Sequence, residues 1–145
     1  MTPDSIFQIC SMVAMLGWVV LLLLSPFWSS FDKFLIGIII VLFAVVYAWL
    51  ILQVFTPGDF QKFGSLDGVM DLFTNKTAVT AGWVHYLAFD LMVGIWIKKN
   101  GQRYTIHHLL LVPCLLFTFM LGPAGLLLYL LVRFIKTKQY FIANY

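Results

Sequence analysis

Four long apolar runs, separated by short polar or turn-forming clusters, set the pattern of this chain. A membrane-spanning helix needs about 20 mainly apolar residues, and the stretches 5–24, 34–55, 78–97 and 109–132 each provide them. The first stops at Ser25-Pro26, the second at Thr56-Pro57-Gly58 and the third at Lys98-Lys99-Asn100-Gly101, while the fourth ends in Arg133. The pattern predicts an all-α integral membrane protein, with four transmembrane helices in a bundle forming a single domain over 1–145. Inside the fourth run lies Leu121-Gly122-Pro123-Ala124-Gly125. A proline within a helix removes a backbone hydrogen bond and bends the axis. At membrane depth the freed carbonyl needs a protein partner, so the last helix is expected to kink at Gly-Pro-Ala-Gly, with the kink facing protein.

Four crossings place both termini on one side, together with the long loop 56–77. In that loop Leu66, Val69, Met70 and Phe73 recur at helical spacing, with Asp67 and Asp71 on another face. This suits a short helix lying on the membrane surface; a plain loop fits almost as well. The terminus side would carry Lys62, Lys76, Arg133, Lys136 and Lys138, and the other side Lys33, Lys98, Lys99 and Arg103. Orientation follows Lys and Arg in short loops, and five against four leaves it open.

Composition strengthens the membrane reading: 62% of residues are hydrophobic and 10% charged, against about half and a quarter in soluble domains. The net charge of +3 resides at helix ends, where it suits lipid headgroups rather than nucleic acid. His107 and His108 are expected at that headgroup interface with Lys98, Lys99 and Arg103. Cys10 and Cys114 fall inside apolar runs and read as small buried hydrophobes. The first basic residue is Lys33, so the first run reads as a retained helix rather than a cleaved signal. No glycine-rich phosphate loop is present. The three histidines lack the partners and spacing of a metal site, so no metal and no cofactor is expected.

The third run carries the chemistry. His85 and Asp90 flank its midpoint, and a charged Asp at a helix centre costs about 2.5–3.5 kcal/mol on insertion scales. Such a residue is a functional candidate by default. Positions three and four apart share a helix face, so Trp83, Tyr86, Asp90 and Gly94 form one stripe, and Gly82, His85, Phe89 and Trp96 an adjoining one. The fourth run offers Thr118, Gly122, Gly125, Tyr129 and Arg133, and the second offers Tyr47 and Trp49. By depth, Thr118 should oppose Asp90, and the Gly-Pro-Ala-Gly break should oppose His85. The result is a mid-membrane pocket with aromatic walls and few polar groups, the usual form of a small-molecule site. Asp90, His85 and Tyr86 are its candidate catalytic residues. Trp83, Phe89, Thr118, Gly122, Tyr129, Tyr47 and Trp49 are its candidate binding residues. The alternative is structural: Asp90 tied to Tyr86, Trp83 or Thr118, and His85 to a carbonyl freed by Pro123.

The segment Trp83-Val84-His85-Tyr86-Leu87-Ala88-Phe89-Asp90-Leu91 resembles the signature of the plant neoxanthin-synthase family, small membrane proteins tied to abscisic-acid deficiency, with many bacterial relatives. Leu121-Gly122-Pro123-Ala124-Gly125-Leu126-Leu127 is similar to the family's Pro-x-Gly segment on the last span. The likeness runs over nearly the whole chain. Many bacterial relatives carry Gly-Arg-Trp after the Asp-Leu pair, where this chain has Gly94-Ile95-Trp96. The resemblance implies a bacterial inner-membrane member acting on a carotenoid or related isoprenoid by isomerisation, with membrane lipid around it. In plants that reaction opens a 5,6-epoxide while a neighbouring double bond becomes an allene, which asks for an acid and a base. Asp90 and His85 are the residues the resemblance assigns to these roles, with Tyr86 as helper. A non-catalytic carotenoid- or retinoid-binding or accessory protein is the competing reading, and a homo-oligomer is left open.

Overall fold

The apolar runs become long helices because nothing within them competes for the backbone: at lipid depth a helix satisfies every N–H and C=O internally. The computed structural model describes residues 1–24, 27 and 30–138, and no strand occurs among them. Helix α1 (Pro3–Val19) continues as a π-helical turn, Val20–Leu24. Helix α2 (Ser30–Phe34) runs through a second π-helical stretch (Leu35–Ile40) into α3 (Val41–Val54). A 3-10 segment, Pro57–Gly64, and the short α4 (Leu66–Leu72) form the long loop. Then follow α5 (Lys76–Arg103), α6 (His108–Leu121) and α7 (Pro123–Thr137). The expected short helix is therefore present as α4. The expected stop at Ser25-Pro26 lies outside the described residues.

Among the described residues, three helices are long and apolar enough to cross a membrane: Pro3–Leu24, Phe31–Val54 and Lys76–Arg103. The third is the axis of the bundle, since 50% of its apolar window is buried, against 33% and 22% for the other two. α1 runs parallel to α5. Asp4 pairs with Lys76 at 3.6 Å, Ser11 bonds Trp83, and Trp18 packs on Gly94. α3 runs antiparallel, with Tyr47 beside His85 and Asp32 beside Lys98. Gly94 and Gly101 let neighbours approach closely: a methyl group there would fall 2.6 Å from the Trp18 indole and 2.6 Å from Leu111 respectively.

The predicted fourth span differs. It is two helices of 14 and 15 residues, joined at Gly122, whose φ of 49° lies in the left-handed region. At 1.5 Å per residue each is roughly 21–23 Å long, short of a hydrocarbon core of about 30 Å. The chain does more than kink, because α7 doubles back along α6. Gly125 packs against Cys114 and Thr118, where an added methyl would meet Thr118 N at 2.1 Å and Cys114 O at 2.5 Å. Further along, the Tyr129 hydroxyl donates to Asn100 Oδ1, and the Arg133 guanidinium stacks over Tyr104 at 5.3 Å. Both ends of the hairpin thus lie beside the C-terminal end of α5, and its tip lies at mid-depth. Proline 123 supplies the reversal cheaply: as the first residue of α7 it lacks only an N–H that no helix start uses.

The α5 terminus carries buried polar contacts that counted as interfacial charges in the sequence reading. Lys98 Nζ lies 2.9 Å from both Asp32 oxygens, and the two side chains are 0% and 3% exposed. Arg133 is buried and donates to Asn100. His108 Nε2 lies 3.1 Å from the Leu22 carbonyl in the first π-helical turn, where the wider winding changes which carbonyls are free. In the loop, Asp59 accepts from the Thr56 N–H and hydroxyl, and Lys62 bridges Asp59 and Asp71. These bonds hold the Asp59 carboxyl down at about 2, below its ordinary 3.8.

Three outcomes follow in thermal unfolding of detergent-purified protein. Gly125→Ala is expected to cost about 2–3 kcal/mol through overpacking against backbone. Gly37→Ala, which meets nothing within 4 Å, is expected to be neutral or stabilising by up to about 1 kcal/mol. Lys98→Met removes the cation beside buried Asp32 and should cost about 3–5 kcal/mol, much of it recovered in the Asp32→Leu/Lys98→Met double variant.

Candidate functional site

Asp90 sits near the middle of α5 and is 8% exposed. The hairpin tip is pressed against it: a methyl group on Gly122 would lie 3.0 Å from Asp90 Oδ1, 3.5 Å from Oδ2 and 3.6 Å from the Tyr86 ring. Only a residue without a side chain, and at ease with positive φ, fits this corner. Tyr86, one turn earlier, turns its hydroxyl to the carboxyl group. Asp90 Oδ2 is buried and has no hydrogen-bond partner. A buried polar atom without a partner is uncommon and costly, so Oδ2 is the open coordination point of the site. Gly122 is also the residue before the first turn of α7, so the carboxyl group stands at that helix's positive end.

Trp83 continues this face. Its indole N–H donates to Ser11 Oγ at 2.9 Å, and its ring lies 5.1 Å from Phe7 and 5.4 Å from Tyr86. This fixes α1 as the second wall. Ser11 was invisible to the sequence reading, since a serine inside an apolar run gives no signal until its partner is known.

His85 lies elsewhere. It is five positions from Asp90, about 140° around the helix, and it faces α3. Its ring stacks on Phe89 at 4.5 Å and approaches Tyr47 at 5.3 Å. These three side chains, with Ile40, Phe43, Ala44, Ala88 and Met92, line a groove of about 380 Å³. Phe89 is 60% exposed, so the groove opens on the lipid side. Trp49 borders a separate apolar groove of about 370 Å³ between α1 and α3, with Cys10 and Phe43. Neither groove is lined by Asp90.

The sequence-predicted residues therefore divide among several places. Asp90, Tyr86, Trp83 and Gly122 come together at the hairpin tip. His85, Phe89 and Tyr47 come together in the α3–α5 groove. Thr118 is buried but donates to Cys114 O on its own helix at 2.8 Å, and Tyr129 lies with Asn100 at the far end of α5. The break thus opposes Asp90 rather than His85, because α5 runs on to Arg103 and α6 starts only at His108, which brings Gly122 level with Asp90 on the antiparallel helix. Asn100, Lys98 and Asp32 were missed as buried polar residues: in sequence they sit in a basic turn or next to one.

The two faces differ in chemistry. At the tip, a carboxyl group, a phenol and a helix N-terminus pack together, and Asp90 accepts a hydrogen bond when ionised and donates one when protonated. In the groove, an imidazole stands alone among aromatic and aliphatic walls, suited to holding a flat apolar chain. Among the described residues, no three His, Cys, Asp or Glu side chains gather in a way that holds a metal ion.

The model of the ABA DEFICIENT 4-like family matches residues 5–129. The chain belongs to that family. The match takes in α1 through the middle of α7, hence both the Asp90 corner and the His85 groove. Family membership suggests involvement in carotenoid metabolism. Neither a curated protein nor a solved structure matches the chain.

The tip makes a specific energetic prediction. Gly122→Ala should destabilise by about 1–3 kcal/mol through backbone strain. Combined with Asp90→Ala, it should show a coupling of about 0.5–3 kcal/mol in a double-mutant cycle. Strict additivity would mean that the tip and the carboxyl group do not press on each other.

Proposed function

We propose that this protein isomerises a carotenoid or related isoprenoid dissolved in the bilayer, with Asp90 as the proton-transferring group and Tyr86 as its helper. One observation carries the reading: a buried carboxyl oxygen without a partner, at mid-depth, beside a phenol and at the end of a half-length helix. A protonated Asp90 delivers its proton to an epoxide oxygen. The C–O bond breaks, and a proton leaves the adjacent polyene carbon for the resulting carboxylate. The products are a hydroxyl and a new double bond, with unchanged mass and no redox partner. Proton transfer of this kind contributes typically 10²–10⁴-fold. Trp83 and Gly122 shape the reacting end beside Asp90, and the α3–α5 groove of His85, Phe89 and Tyr47, on the other side of the same helix, offers an aromatic surface for an apolar chain.

A second reading is favoured by that groove: an aromatic trough open to lipid suits pigment binding without turnover. One experiment separates the two. The chain is expressed in bacterial strains that accumulate different carotenoids, and extracts are compared by chromatography and mass spectrometry. Wild type is expected to give a new peak of unchanged mass; Asp90→Asn is expected to lose it by 100-fold or more, and His85→Ala to retain product at reduced yield. Wild-type turnover by Asp90→Asn removes Asp90 from the chemistry. Pigment that co-purifies unchanged, and is lost on Tyr47→Ala, transfers the protein to the binding class.

A further inference from the structure

Folding back at Gly122 redistributes the charges. A continuous fourth span would carry Arg133, Lys136 and Lys138 to the side of the 56–77 loop. In the structure α7 returns to the C-terminal end of α5, where Arg133 meets Asn100 and Tyr104. That end of the molecule then holds Lys33, Lys98, Lys99, Arg103, Arg133, Lys136 and Lys138 against the carboxylate of Asp32. The opposite end holds Lys62 and Lys76 against Asp4, Asp59, Asp67 and Asp71. What was five cations against four becomes seven against two, and the acidic residues segregate the other way. Lys98 is paired with Asp32 and Arg133 is buried, but Lys33, Lys99, Arg103, Lys136 and Lys138 are all exposed.

We propose that this basic end is a docking surface for anionic phospholipid headgroups. It sits at the cytoplasmic leaflet, and the α6–α7 hairpin re-enters the bilayer from that side. Charge complementarity selects the partner. The cytoplasmic leaflet is negatively charged and attracts juxtamembrane cations, by about 1 kcal/mol each. Lys and Arg in short loops bias orientation the same way. With three full crossings and a hairpin that enters and leaves on one side, residues 2 and 138 fall on opposite faces of the membrane. The inference concerns the membrane partner and is independent of what Asp90 does.

Single cysteines read this directly. In a Cys10→Ser/Cys114→Ser background, Gln61→Cys, Gln102→Cys and Lys138→Cys are introduced separately into the full chain, and a membrane-impermeant maleimide is applied to spheroplasts before and after lysis. Gln61→Cys is expected to label in intact spheroplasts, and Gln102→Cys and Lys138→Cys only after lysis. Labelling of Lys138→Cys on the same side as Gln61→Cys would overturn the re-entrant hairpin, and labelling of Gln102→Cys from outside would overturn the orientation. Wild-type protein is also unfolded thermally in detergent with added phosphatidylglycerol or phosphatidylcholine. A rise in Tm of several degrees specific to phosphatidylglycerol, lost in Lys99→Gln/Arg103→Gln/Lys136→Gln, supports headgroup binding. Equal shifts with both lipids, for wild type itself, contradict it whether or not the variant folds.

Discussion

Everything distinctive about this molecule follows from how one helix is broken at lipid depth. A backbone group without a partner costs several kcal/mol in hydrocarbon, so a chain that stops being helical mid-membrane must do so against protein. Here Gly122 turns with positive φ, its N–H donates to Thr118 O, and the Gly125 and Leu126 N–H groups donate back to the Gly122 carbonyl. The corner is closed by α5, whose Asp90 carboxyl group fills the space that any side chain at Gly122 would need. The reversal and the carboxylate thus presuppose each other. A larger residue at 122 would displace Asp90, and without the corner beside it Asp90 would lose the packing that encloses it on that side.

Much of this was legible in the residues. The first two apolar runs mark their helices to within three positions, because length and hydrophobicity decide a span almost alone; the third falls six short, since α5 continues through Lys98-Lys99-Asn100-Gly101 to Arg103, where Lys98 and Asn100 are buried against protein partners. Asp90, Tyr86 and Trp83 fall on one stripe by helical arithmetic and do share a face. Leu66, Val69, Met70 and Phe73 announced α4. The failures share a cause. Hydropathy is blind to direction, so 109–132 reads as one crossing whether the chain continues past Gly122 or folds back. Pro123 fits both a kink and a first helical turn, and only the approach of Gly125 to Cys114 separates them. The misplacement of Tyr129 and Arg133 and the balanced charge count all descend from that single ambiguity.

The separation of His85 from Asp90 has a similar lesson. Five residues along a helix looks like proximity, but it is a little over one turn and most of a half-circle. The imidazole belongs to the face that α3 covers, and the carboxyl group to the face that α1 and the hairpin cover. A mid-membrane pair in the sequence is therefore two neighbourhoods in space: one polar and enclosed, the other aromatic and open. The same α5 backbone serves both, which is why so much of that helix is buried while its neighbours present most of their surface to lipid.

The half-depth hairpin also gives the molecule a taper. Among the described residues, five helical rods share the cross-section on the side where α6 and α7 enter, and past Gly122 α1, α3 and α5 continue. A protein that displaces more lipid from one leaflet than from the other is a wedge, and a wedge fits best where the bilayer already bends to expand its wider side. The outline of the fold, apart from any ligand, thus favours one membrane shape over another through its volume alone.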